Sequence, residues 1–529
     1  MDNSRSIPAV MVLMLIAALY FVPAWAAGPE NIPGSFSDSY SFVWNFWWAQ
    51  SHQEFGDSIR FTTAVFYPSG SNLALHSFVP FLTLPMSLLP LEPARLMLLA
   101  CSLCFCLNSV AFYVLAIRIQ PSRTLACLFS LVLSFHPFLI GHLWAGHLNF
   151  LVMFPLVWLI SEALSLFDPQ APKRFYVVAT LATNVLAWSN LYYTYFALLI
   201  ICLCLCFRRY ELLRRPWQLA LFLGVLVLTL GIRLFEVVAL SASHLYSPNH
   251  KASSHSADIL HYLINPKTSL LNWGSFQTHD FGLTIAESGL ALGCPVMALA
   301  LYSLWKRPSV RVREGFLLTL FLVFFTLSFG PQIHLGGEVL ASNPVYWAFR
   351  HILPGFPTVP ARFGIVAIIC LYSALLIRLQ DRGLLIFTFA LSLLTFVPQA
   401  LPLQVMKQSS ALSQLQADQN VTSVGYCTPD LYEPIRYQMQ HGKRIPAGFL
   451  ARRPLKAEQA IRKNRFLQYL FTGRVKDVDK LVSELRRLKL DGVICPKIYK
   501  TETLRLASMK FLSLAYEDEQ ISVYLAQTS

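Results

Sequence analysis

Residues 95–141 read RLMLLACSLCFCLNSVAFYVLAIRIQPSRTLACLFSLVLSFHPFLIG. Two apolar runs flank a connector, Arg118 to Arg123, that holds two arginines and a proline. A helix needs roughly 20 mostly apolar residues to cross the hydrocarbon core, and both runs approach or reach that length. The same pattern recurs along the chain. Spans are expected at 8–27, 95–117, 124–141, 148–167, 174–190, 191–207, 217–240, 284–304, 315–330, 361–379 and 383–402.

Composition agrees. Hydrophobic residues make up 55% and charged residues 13%, against about 25% charged in ordinary soluble domains. The net charge of +14 does not point to nucleic acid, because much of it lies in short connectors. These are Arg118 to Arg123, Lys173 and Arg174, Arg208 to Arg215, Lys306 to Arg313, and Arg378 to Arg382. All fall on one side, which the positive-inside rule makes cytoplasmic. The other connectors, 28–94, 142–147, 241–283 and 331–360, are poor in basic residues. The amino terminus is then inside, and eleven spans put the tail outside. Ala24-Trp25-Ala26 resembles a signal-peptidase site, although a retained first span is the expectation; either way 28–94 is exported.

The expected fold class is an α-helical polytopic membrane protein of about eleven transmembrane helices with a small C-terminal α/β extracytoplasmic domain. Residues 1–402 form the membrane part and 403–529 the tail. In the tail, 421–426 and 492–495 read as buried strands, and 456–472 and 475–488 as helices. Residues 511–516 and 520–525 read as a hairpin around Glu517-Asp518-Glu519. Residues 78–90, with three prolines, read as a re-entrant or interfacial segment. Nine of the eleven cysteines lie in apolar spans and read as small apolar filler, including Cys202, Cys204 and Cys206, which helical geometry sends to different faces. For Cys427 and Cys495 both a disulfide and two free thiols are open.

The first exported loop carries the candidate chemistry. Asp38 stands between Ser37 and Ser39, and an aromatic run follows: Tyr40, Phe42, Trp44, Phe46, Trp47, Trp48. Such rings suit the headgroup layer, so 40–50 is expected to lie on the membrane as a helix. Asp38 is then an N-cap or a carboxylate held at the water–lipid boundary. His136, His142 and His147 cluster at one outer turn, suited to substrate hydrogen bonds, a metal pair or packing. Asp57 follows the aromatic helix as a turn residue or a substrate ligand. Glu287, with His279 and Asp280 before it, lies at the outer start of the eighth span, where an acid should face a polar cavity. Arg362 opens the tenth span, where a snorkelling interfacial side chain is the ordinary reading. Arg233 and Glu236 are spaced to pair. No P-loop, dinucleotide fingerprint, HExxH or zinc-ligand spacing occurs, which weakens an ATP-driven pump and a sugar-nucleotide donor.

Four stretches carry a family resemblance: Asp38-Ser39-Tyr40-Ser41-Phe42-Val43-Trp44-Asn45; Phe66-Tyr67-Pro68-Ser69-Gly70 with His76; Gly146-His147-Leu148-Asn149; and Leu353-Pro354-Gly355-Phe356 through Pro360-Ala361-Arg362-Phe363. His441-Gly442-Lys443 in the tail adds a fifth. With the order of spans, loop and tail, they resemble the C-type (polytopic membrane) glycosyltransferase superfamily, and more narrowly a bacterial multi-span predicted glycosyltransferase group. The resemblance covers nearly the whole chain. It implies a sugar donor on a polyprenyl phosphate, an extracytoplasmic acceptor (glycan, lipid or protein), and Asp38 as the base that activates it. It also implies a bacterial cytoplasmic (inner) membrane. Arg362 is then the candidate phosphate ligand, with Glu287, His142, His147 and Asp57 as further substrate-binding candidates. No metal site is assigned, and a divalent cation is left open. Partners are the lipid-linked donor and membrane lipids. The competing readings are a transporter or flippase for lipid-linked glycans, and a non-catalytic assembly protein for envelope glycans.

Overall fold

The computed structural model describes residues 6–35, 38–167, 172–209, 216–243, 245–246, 255–263, 286–306, 310–352, 357–427, 432–463, 478–507 and 509–527. Ser37, His279, Asp280 and residues 353–356 lie outside them, as does part of the expected tail helix 456–472.

Each of the eleven expected spans contains a helix. Five helices are long and apolar enough to cross a membrane: Pro93–Ile119, Arg123–Trp144, Leu148–Ser165, Pro216–Leu240 and Pro360–Arg378. Exposure says what solvent they meet. On the helix Pro216–Ala242, Val227, Leu228, Ile232 and Phe235 are 69–75% exposed. A row of large apolar side chains without protein cover belongs in lipid. The chain is a helical membrane protein with a small sheet region near its C-terminus.

Several helices are broken where the sequence dictates. The third span splits into Arg123–Ser134 and Pro137–Trp144, because Pro137 has no N–H to give the preceding turn. His136 caps the second piece, its Nδ1 accepting from the Phe138 N–H at 3.2 Å. The eighth span differs more. Its helix is only Cys294–Lys306, and residues 286–293 run as buried irregular chain. Irregular backbone survives at such depth only when its polar groups are met by protein. Here the carbonyl of Ala291 faces His136 Nε2 at 2.9 Å, that of Leu292 accepts from the Tyr372 hydroxyl at 2.7 Å, and the Leu292 N–H reaches the Tyr262 carbonyl.

The aromatic run forms the helix Asp38–Ser51, but its rings pack against protein rather than spreading into headgroups. Phe42, Val43 and Phe46 enter the core of the helical bundle. Trp44, Trp47 and Trp48 enter a second core with tail residues such as Leu412, Ile435 and Ile521. Rings on both faces are therefore buried in protein, which satisfies them better than a headgroup layer would. The expected contact of the rings with the headgroup layer is corrected accordingly.

The tail holds a four-stranded sheet. Strands Val424–Tyr426, Gly492–Pro496, Ile521–Ala526 and Leu512–Glu517 lie in that order, the first pair parallel and the rest antiparallel. The two expected strands and the hairpin are all present. Helices Ser410–Ala417 and Tyr432–His441 were not foreseen. Cys427 and Cys495 are bonded. Residues Asn31–Pro33 pair antiparallel with Leu403–Val405, so the chain after the first helix and the chain after the last meet at one end of the bundle.

The tail is pinned to the first loop. Trp44 Nε1 donates to Gln438 Oε1 at 2.9 Å, and Ile445 and Ala64 are bonded through their backbones. His76 is fully buried between the two parts. Its Nδ1 accepts from the Ala451 N–H at 3.1 Å and its Nε2–H donates to Asn45 Oδ1 at 2.9 Å. Only the neutral ring fits both bonds, and burial pushes its pKa down to about 3. His441 is likewise pushed down to about 3 by burial, facing the Tyr426 hydroxyl and the Lys443 N–H. The His441-Gly442-Lys443 motif thus builds a tail turn.

Two predictions follow from these contacts. Neutral histidines stabilise the docked tail fully above the unfolded value of 6.5. Below it the unfolded state gains protons that the folded one does not, so stability falls by about 1.4 kcal/mol per pH unit per histidine until pH nears 3. Hydrogen exchange in detergent between pH 7.5 and 5 should show protection of 432–451 falling with acid; unchanged protection contradicts this. Cys427→Ser opens a cross-link over 68 residues, worth about 4 kcal/mol by chain entropy. It should make the tail protease-sensitive at temperatures the parent tolerates.

Candidate active site

Asp38 owes its position to two glycines. Gly34 and Gly146 have φ of +107° and +75°, conformations that Gly adopts without steric cost. A Cβ on Gly146 would meet the side chain of Ser39, at 2.8 Å from its Cβ and 2.6 Å from its Cα. A Cβ on Gly34 would meet Ser39 Oγ, and the Trp144 carbonyl at 2.9 Å. Only bare backbone lets the start of the 38–51 helix lie against the 144–147 turn. That contact brings Asp38 Oδ2 within 3.0 Å of His147 Nε2.

Behind His147 stands His142, fully buried. It stacks on Phe150 with centroids 4.3 Å apart and meets Phe138 edge-on at 4.4 Å. The two histidines face each other Nδ1 to Nδ1 at 3.0 Å. With His147 donating from Nε2 to a carboxylate, its Nδ1 accepts, so His142 carries its proton on Nδ1. His142 Nε2 has no hydrogen-bond partner among the described residues and is then a bare lone pair, cheaper to bury than an unmet N–H. Helix residues five apart do not share a face, and these two do not need to. Gly146 ends the helix between them, and the turn folds His147 back.

Arg362 is the second pole. It lies 4.2 Å over the Phe150 ring and 4.8 Å over Tyr192. Both its Nη2, at 2.6 Å, and its Nε, at 3.2 Å, donate to Glu287 Oε1. The pair orients the guanidinium and partly neutralises it.

Asp38, His147 and Arg362 line one cavity of about 990 Å³. Its wall also holds Arg60, Arg233, Arg452, Asn149 and His76. Asp38 is the only carboxylate among the described lining residues. Arg233 pairs with Glu236 as expected, at 3.3 Å, but Arg60 binds the same carboxylate. Both guanidiniums also lie over Trp188, at 5.1 and 5.4 Å. Arg452, half-buried at the tail's edge, is held below the ordinary arginine range by burial. The cavity is therefore a positively charged hollow with one carboxylate at its rim.

The site candidates separate on these grounds. Asp38, His147 and Arg362 come together on the cavity. His142 and Glu287 do not line it; each stands behind a lining residue and holds it. Asp57 is elsewhere, its Oδ2 taking the Thr63 N–H at 2.5 Å and the Thr63 hydroxyl at 2.8 Å, and it is a turn residue. Among the described residues no group of His, Cys, Asp and Glu is arranged to hold a metal. Arg60 and Arg452 had no local signal, since only the fold brings them here. Arg233 did have one, as an arginine within an apolar run.

A family model described as "Domain of unknown function (DUF6311)" matches residues 9–404. No curated protein matches the chain. Among solved structures, the cryo-EM structure of the arabinofuranosyltransferase AftD from Mycobacteria is similar with a TM-score of 0.60 at 13% identity, covering 98% of this chain and 41% of that one. The chain thus spans well under half the length of that protein. ArnT from Cupriavidus metallidurans, bound to undecaprenyl phosphate, is similar with a TM-score of 0.45 at 12% identity over 99% of this chain and 98% of its own. The archaeal oligosaccharyltransferase AglB from Archaeoglobus fulgidus, with an inhibitory peptide and a dolichol-phosphate, gives 0.41 at 15% identity over 94% and 71%. The likeness to the arabinofuranosyltransferase shows that the chain shares the fold of the matched part of that protein.

The glycine contact is open to a direct test. Gly146→Ala should destabilise by about 1–3 kcal/mol through backbone strain alone, with the clash against Ser39 added. Ser39→Ala should cost nothing, because its buried hydroxyl has no partner among the described residues. Thermal unfolding in detergent compares them; equal midpoints for the two variants contradict the account.

Proposed function

The chain belongs to the DUF6311 family, and we propose that it is a membrane glycosyltransferase using a sugar carried on a polyprenyl phosphate. The observation that carries this reading is the convergence of Asp38, His147 and Arg362 on one cavity whose described lining holds four arginines and one carboxylate. A sugar acceptor attacks through a hydroxyl, which must lose its proton as the new bond forms. Asp38, at the rim and one-third exposed, is the base that takes it. The helix that starts at Asp38 turns its positive end to that carboxylate, and His147 holds it by a hydrogen bond. The leaving polyprenyl phosphate gathers negative charge. Arg362, braced by Glu287, and Arg452, Arg60 and Arg233 stabilise it, which is where most catalytic benefit arises in such a transfer.

The solved structures that bind undecaprenyl phosphate and dolichol-phosphate supply the model for the donor's chemical class. The acceptor is an extracytoplasmic glycan, lipid or protein. We read the eleven helical segments as spans and 403–529 as an extracytoplasmic α/β domain. The pairing of 31–33 with 403–405 requires an even number of crossings between them, as ten spans provide. The Cys427–Cys495 bond suits an oxidising compartment.

Asp38→Asn keeps the shape and removes the base. Transfer from a radiolabelled polyprenyl-phosphate sugar should fall by roughly 10²–10⁴-fold, while insertion and thermal stability stay near the parent's. Transfer at the parental rate would sink the role of Asp38. Movement of a lipid-linked glycan across reconstituted vesicles without any transfer would replace the enzyme reading by a transporter.

A further inference from the structure

A second cavity lies at the opposite end of the bundle. The helix Gly364–Arg378 links the two: Arg362 just before it lines the first, and Leu376, Ile377 and Leu379 line the second. Fifteen helical residues put roughly 22 Å between them, so the two are separate sites. The helix Leu191–Phe207 makes the same connection, from Tyr192 to Arg208.

The second cavity has about 650 Å³. Five arginines line it: Arg118, Arg208, Arg311, Arg313 and Arg382. No Asp or Glu lines it among the described residues. Among the described residues the nearby acids neutralise one of these arginines and otherwise bind groups outside the lining. Glu162 takes Arg118 at 2.8 Å and Arg174 at 3.0 Å, Glu314 pairs with Arg378, and Asp381 caps the Leu384 N–H at 3.0 Å. The floor is apolar, made of Leu164, Phe167, Leu376 and Ile377.

Arginines that only set membrane orientation have no reason to share a hollow. Spread over a wet surface, they would repel each other less and be screened better. Gathered around a concave space with an apolar floor, their fields add where solvent is least able to damp them. Gln120 adds a neutral polar group on the wall. Its Oε1 is buried without a hydrogen-bond partner among the described residues, and the amide turned over offers an N–H to an acceptor. Guanidinium forks match the paired oxygens of phosphate. We propose that this cavity binds a phosphate-bearing anion, either the headgroup of an anionic phospholipid or a soluble phosphate compound. The proposal is independent of the chemistry assigned to Asp38.

The test uses the full chain purified in a neutral detergent. Short-chain phosphatidylglycerol and inorganic pyrophosphate are titrated separately, with binding read by calorimetry and by the shift in unfolding temperature. The parent should bind at least one probe saturably. Response to the lipid alone identifies a headgroup, response to pyrophosphate alone a soluble ligand, and response to both the shared chemistry. The double variant Arg311→Gln/Arg382→Gln removes two exposed lining charges and should weaken binding at least tenfold. Should that protein fail to fold, the single variant Arg313→Gln serves, with a loss of at least threefold. Lys306→Gln removes a charge at the same end but outside the lining, and should leave binding unchanged. No saturable binding by the parent, parental binding by the lining variants, or an equal loss in Lys306→Gln overturns the proposal.

Discussion

The burial of the helix Asp38–Ser51 on both its faces is the constraint on which the rest of the molecule depends. Phe42, Val43 and Phe46 belong to the bundle's core, while Trp44, Trp47 and Trp48 belong to the core shared with the tail. Aromatic side chains of this size each bury on the order of 150–250 Å², so the helix ties the bundle to the tail, beside the strand pairing of 31–33 with 403–405. A helix held on two sides cannot roll. Its first residue, Asp38, is therefore held to one place, and the glycines at 34 and 146 let that place be next to His147.

This explains why the sequence was readable in some parts and not in others. Spans are legible because lipid demands length and apolarity, a local property that any window reports. The four quoted motif stretches are local too, and residues from all four line the cavity: Asp38, His76, His147 with Asn149, and Arg362. The aromatic run misled because its composition suits a headgroup layer and a doubly buried helix equally well. What tells them apart is the tail, more than 300 residues later. The Arg362–Glu287 pair was hidden for a related reason. Both residues stood out as costly charges near a membrane, but 75 positions separate them, and nothing local says that one neutralises the other. Glu287 was expected to face a polar cavity; its polar surroundings are a guanidinium instead. Arg60 and Arg452 carried no signal, since arginines in exported loops are ordinary until a fold gathers them.

The charges of the main cavity follow one rule. Arg233 and Arg60 share Glu236, and Arg362 has Glu287. Breaking a buried pair such as Arg362–Glu287 costs several kcal/mol, about 3–5 in typical cases, so Glu287 is what allows Arg362 to be there at all. Yet three acids, counting Asp38, stand near four lining arginines, which leaves the hollow positive. Phe150 and Tyr192 lie under Arg362 and Trp188 lies under Arg233, which helps to hold the guanidinium groups in place. Full neutralisation would have made a stable wall with no net charge, and no neutralisation would have made a wall that does not fold.

The histidines behind Asp38 obey the same economy in protons. Suppose His147 carried its proton on Nδ1 instead of Nε2. Its Nδ1 would then donate to His142, whose own proton would have to sit on Nε2, the atom without a partner among the described residues. That leaves a buried donor unmet between Phe138 and Phe150, at a cost of roughly 1–3 kcal/mol. His142 thus keeps the His147 proton on Nε2, facing Asp38, without touching the cavity. The Asp38 carboxylate accordingly takes a fixed hydrogen bond from the bundle side, and its remaining edge is the one turned to the cavity.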